Sequence, residues 1–83
     1  MAHWNKAARA RRGDPLTPRE LEILALLAAG HSSAAIAERL EITPATVKTH
    51  LTSVYRKIGA ANRVQAARHY LDHHGSPPPE NVA

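Results

Sequence analysis

His69 and His73 stand four residues apart, the spacing that places two imidazoles on one face of a helix. No third ligand with workable spacing accompanies them, neither falls in an H-E-x-x-H pattern, and the chain has no cysteine. Nothing in the sequence assembles a general acid with a general base, so the expectation is no catalytic residue, no metal site and no cofactor. The stronger pattern lies in "EITPATVKTHLTSVYRKIG", residues 41–59. Read as a helix, it has one face that carries Lys48, Thr49, Thr52, Ser53, Arg56 and Lys57 without a single carboxylate. Hydroxyl and amino groups free of acidic neighbours suit hydrogen bonding to an anionic partner. Small side chains come first (Ala45, Thr46, Thr49), letting the backbone lie close to such a partner, and longer ones (Arg56, Lys57) follow.

Those side chains need a helix behind them. At about 100° per residue, Val47, Leu51, Val54 and Ile58 fall within an arc of about 60° and form the inward stripe. Thr43 caps this helix, Pro44 fits its first position, and Ile42 can staple to Val47. Upstream, "LTPREL" is another start signal: Thr17 as cap, Pro18 at the first position, Glu20 completing the box, and Leu16 and Leu21 as staple. Leu21, Leu24, Leu27 and Ala28 recur along that helix, with Ile23 to one side, until Gly30 stops it. Ser32 opens a two-turn helix with Ile36, Ala37 and Leu40 on one face. Asn62, with Gln65 after it, opens a last helix in which Val64, Ala67 and Leu71 share one stripe and Ala66 and Tyr70 the next. Period two is nowhere sustained, so the expected fold is all-α, with helices at about 18–29, 33–40, 44–58 and 63–73.

The 83 residues amount to one domain at most, with a modest core and too little chain to enclose a large substrate. The longest apolar run, "ILALLAA", is too short to cross a bilayer, and no N-terminal export signal is visible, so a cytoplasmic protein is expected. Net charge is +4, and it is segregated. Residues 1–13 carry Lys6, Arg9, Arg11 and Arg12 with no acid, and residues 43–71 carry Lys48, Arg56, Lys57, Arg63 and Arg68 with no acid. Residues 1–15 read as a flexible basic tail or linker whose charges either track phosphates or keep a linker soluble, 16–74 as the folded unit, and 75–83, rich in proline, as a disordered C-terminal tail. A two-turn helix, a tight turn and a capped amphipathic helix describe a helix-turn-helix, whose second helix enters the major groove of duplex DNA.

Residues 16–71, "LTPRELEILALLAAGHSSAAIAERLEITPATVKTHLTSVYRKIGAANRVQAARHYL", resemble the DNA-binding domain of the LuxR/FixJ/NarL transcription factors. The resemblance rests on LTPRE, the Gly before the helix-turn-helix, IAERL, TVKTHL, RKIG where RKLG is commoner, and NR before an Ala-rich last helix. It implies a four-helix domain of a bacterial-type regulator, acting on double-stranded DNA and in some relatives on RNA polymerase, with sensing and phosphorylation in a separate domain. It places Lys48, Thr49 and Thr52 at base edges, and Thr43, Thr46, Arg56, Lys57, Arg63, Ser32 and Ser33 at backbone phosphates. It also implies a homodimer through the last helix, and the residues of 63–73 that would form it are Val64, Ala67, Arg68, Tyr70 and Leu71. Two departures stand out. Ala35 replaces a Glu that reaches back to the cap of the second helix, weakening it by about 0.5–1 kcal/mol, and Ser33 replaces the usual Asn. Neither membrane nor small-molecule ligand is expected.

Three other readings fit parts of the chain. A sigma-factor region 4 pairs similar helices but lacks the NR and Ala-rich fourth helix. A basic protein-interaction module would show no duplex preference. A histidine-based metalloenzyme would need stoichiometric metal.

Overall fold

The computed structural model describes residues 10–75. Lys6, Arg9 and the proline-rich residues 76–83 of the two expected tails lie outside the described residues. Four helices follow one another: α1 Pro18–Ala28, α2 Ser33–Leu40, α3 Pro44–Ile58 and α4 Arg63–His74. Among the described residues there is no strand, and the helix limits agree with the expected ones to within a residue.

Each helix begins where a side chain accepts from its first turn. Thr17 accepts from the Glu20 N–H while Glu20 accepts from the Thr17 N–H, a closed capping box. Ser32, Thr43 and Asn62 accept from Ala35, Thr46 and Gln65. The Gln65 side chain reaches one residue further back than a capping box requires, to the Ala61 N–H at 2.8 Å. α1 closes by paired bonds, Gly30 N–H to Leu27 C=O and His31 N–H to Leu26 C=O, with Gly30 at φ +104°. The same closure ends α2, Ile42 N–H to Ala37 C=O and Glu41 N–H to Glu38 C=O, but here a glutamate takes the left-handed position at φ 59°.

The core is built from Ile23, Leu24 and Leu27 of α1, Ile36 and Ala37 of α2, Val47, Leu51 and Val54 of α3, and Ala66 and Tyr70 of α4. Burying each larger aliphatic side chain contributes about 1.5–3 kcal/mol, more than the intrinsic propensity of a two-turn helix such as α2 can supply. The inward face of α1 is rotated from the expected one: Ile23 is fully buried and Leu21 is exposed. The polar residue that shares the Ile23/Leu24/Leu27 stripe is Glu20, also fully buried.

Candidate nucleic-acid interface

Residues 41–43 join α2 to α3. Glu41 turns the chain and Thr43 caps the next helix, and in the N-terminal half of α3 Pro44, Ala45, Lys48 and Thr49 are exposed. Lys48, Thr49, Thr52, Arg56, Thr43 and Ser32 are exposed, and Thr46, Ser33 and Arg63 are half-buried. The three residues expected at base edges therefore stand together outside, on the side of α3 away from Val47, Leu51 and Val54.

Their hydroxyls are not idle. Thr49 donates to the Ala45 carbonyl at 3.1 Å and Thr52 to the Lys48 carbonyl at 3.0 Å, each one turn back. With the protons so engaged, the oxygens present lone pairs outward as acceptors and the methyl groups present apolar contact. The Thr43 and Thr46 hydroxyls bond each other at 2.8 Å at the start of the helix.

Two polar residues of α3 point inward instead. Ser53 is buried and donates to Glu20 Oε2 at 2.6 Å. Lys57, expected at a phosphate, lies with its Nζ 2.7 Å from Glu20 Oε1 and 3.1 Å from the Pro15 carbonyl, its side chain 9% exposed. A charge held this way is directed into the fold rather than toward a duplex. Burial pushes the Glu20 pKa up, but the hydrogen bonds from Lys57, Ser53 and the Thr17 N–H, with the Lys57 charge, outweigh it and hold it at about 2. The signal for this site was present in the sequence: Glu20 lies three, four and seven residues before Ile23, Leu24 and Leu27, which puts it on the core stripe. A capping box occupies one carboxylate oxygen and leaves the other needing a donor.

The segment before α1, read from sequence as tail or linker up to residue 15, is docked from residue 11 onward. Arg11 and Asp14 close a turn, Asp14 N–H to Arg11 C=O and Arg11 N–H to Asp14 Oδ2, both 3.0 Å. Gly13 N–H donates to the Lys57 carbonyl at 2.8 Å, at the C-terminal end of α3. Arg12 lies over Gly59, so that a Cβ there would stand 2.8 Å from Arg12 Cζ. At the other end of the loop system, Arg63 Nη2 donates to the His31 carbonyl, tying the start of α4 to the α1–α2 connection.

Along α4, Val64 is 76% and Leu71 41% exposed, Arg68 is exposed, and Ala67 is half-buried. Tyr70 does not belong with them. It is buried against the core beside Ala66, its ring stacked on His74 at 4.8 Å, and so is unavailable to a second chain. His69 and His73 stack at 4.0 Å, with His73 Nδ1 2.9 Å from the His69 carbonyl. Burial, then the charges of His73 and His74, lower the His69 pKa, and Asp72 opposes them. Among the described residues no three His, Cys, Asp or Glu side chains converge on a possible metal position.

A short capped helix, a three-residue turn and a second helix offering an exposed, acid-free face define a helix-turn-helix DNA-binding domain. Residues 14–70 match the family described as bacterial regulatory proteins, luxR family, and the chain belongs to that family. It is 48% identical over 60 residues to the transcriptional regulatory protein MctR of Rhizobium johnstonii, across 72% of this chain and 28% of the relative. The chain thus spans little more than a quarter of that relative's length. No helix among the described residues is long and apolar enough to cross a membrane.

Proposed function

We propose that the domain recognises a specific duplex DNA sequence in the cytoplasm and so regulates transcription, with the N-terminal half of α3 in the major groove. The observation that carries this is the joint exposure of Lys48, Thr49 and Thr52 on a helix face without carboxylates. Lys48 donates to base acceptors such as guanine O6 or N7. Thr49 and Thr52, their protons bound to the helix, accept from exocyclic amino groups or set their methyls against thymine. Thr43, Thr46, Arg56, Arg63, Ser32 and Ser33 contact phosphates, which position the helix without reading sequence. Two copies pair through Val64, Ala67, Arg68 and Leu71 of α4, so that the operator carries two half-sites about one helical turn apart.

Selection of bound duplexes from a random pool tests the reading. The expected product is a defined motif bound about 10³-fold or more tightly than random duplex. Lys48→Ala and Thr49→Ala should each relax the motif at one or two base pairs, at a cost of about 1–3 kcal/mol. No enrichment, with equal affinity for all duplexes, would leave a basic protein-interaction module in its place.

A further inference from the structure

On the reading that α3 enters the major groove, we propose that Glu20, Ser53 and Lys57 are positioning residues that set the rotation and axial register of α3, and thereby the aim of Lys48, Thr49 and Thr52. The Glu20 carboxylate receives three donors: the Thr17 N–H at 2.9 Å on one oxygen, Lys57 Nζ at 2.7 Å on the same oxygen, and Ser53 at 2.6 Å on the other. Ser53 and Lys57 lie one turn apart on α3, so a single carboxylate grips two successive turns and ties both to the cap of α1.

The apolar contact between these helices constrains them differently. Val47, Leu51 and Val54 bury area, and burial is non-directional: hydrophobic side chains of similar volume repack with little loss. Hydrogen bonds demand distance and angle, and weaken steeply when either drifts. The lever is long enough to matter. A rotation of about 10° about the axis moves a side-chain tip some 5–6 Å out by about 1 Å, and recognition groups held more loosely than about 0.5 Å or 10–20° lose their productive geometry. A buried ion pair is weak as a source of net stability but well suited to specifying one arrangement over its neighbours. Lys57 has a further grip, since its backbone carbonyl accepts from Gly13 and its Nζ donates to Pro15.

Stability and aim are separable by experiment. The combined variant Glu20→Leu, Ser53→Ala, Lys57→Met replaces the network with apolar volume and removes both charges together. Lys57→Arg retains a donor, and Ser53→Ala alone is a mild lesion should the combined variant not fold. Affinities for the selected duplex and for a scrambled duplex are measured on the full chain at one salt concentration, well below each unfolding midpoint. For the combined variant, the expected result is a roughly tenfold or greater loss on the selected duplex, equivalent to about one base contact, with the scrambled affinity within about twofold of wild type. Ser53→Ala should move the same ratio in the same direction, and Lys57→Arg should keep most of the wild-type preference. An unchanged ratio in a folded variant would overturn the proposal. So would equal losses on both duplexes with a salt slope reduced by about one, which would make Lys57 a phosphate contact. If the wild-type chain itself prefers no duplex, the DNA-reading role fails first and the positioning role falls with it.

Discussion

Glu20 and Lys57, 37 residues apart in the chain, close a 2.7 Å ion pair inside the fold, with side-chain exposures of 0% and 9%. One pair thereby joins the first turn of α1 to the last turn of α3. Because the folded state holds Glu20 at about 2, below its ordinary 4.5, the carboxylate contributes stability that is fully present above pH 4.5. That contribution is lost as pH falls from there toward 2. Measured against the protonated carboxyl, its size is on the order of 3 kcal/mol. Urea unfolding across this window should show wild type losing that increment while Glu20→Gln, already weakened at neutral pH, stays comparatively flat. Parallel curves would mean that other groups govern acid unfolding.

Gly59 ends α3 at φ +73° beneath Arg12. An alanine there pays the left-handed backbone penalty of about 1–2 kcal/mol, and its Cβ also displaces the guanidinium. The second effect is small, because Arg12 is long and flexible. Thermal unfolding of Gly59→Ala should therefore fall by about that amount, and adding Arg12→Ala should recover little. Full recovery in the double variant would assign the cost to the contact instead of the backbone.

Glu41 holds the same kind of conformation at φ 59° without being glycine. Glu41→Gly should raise stability by about 0.5–1 kcal/mol, the relief of backbone strain less the added freedom of the unfolded chain. The urea midpoint should rise with unchanged slope. A lowered midpoint would show that the glutamate side chain contributes more than its backbone costs.

Val64 and Leu71 leave apolar surface on α4 that the core does not use. Val64→Asp with Leu71→Asp should leave the unfolding midpoint nearly unchanged, since surface substitutions typically shift stability by no more than about 0.5 kcal/mol. Cooperative binding to a paired operator should be lost. Sedimentation on a two-half-site duplex reads this directly, and retention of two copies per duplex by the variant would move the pairing surface elsewhere.

Capping chemistry made the helices legible, because Thr17, Ser32, Thr43 and Asn62 act on donors only three residues away and local sequence carries that information. The outward face of α3 was legible for a similar reason: Val47, Leu51 and Val54 define its opposite. What periodicity could not supply was contact at long range. A helical wheel groups Ser53 and Lys57 with the outward polar residues, because it does not show that α1 covers their flank and supplies a carboxylate. The two stripes of α4 are chemically alike, so sequence alone groups Tyr70 with the expected pairing residues, and only packing against α1 decides which stripe turns inward. The docking of Arg12 and Gly13 is not legible in the sequence, because a backbone N–H bonding a distant carbonyl leaves no compositional mark.

That docking bears on where the domain can be cut. A fragment or fusion starting at Leu16, the first residue of the obvious helix-start motif, would discard the Gly13 bond to Lys57, the Pro15 carbonyl and the Arg12 cover over Gly59. The C-terminal end of α3 would then lose its anchor although every residue of the four helices was retained. A graft meant to keep that end of α3 anchored has to carry the chain from residue 11.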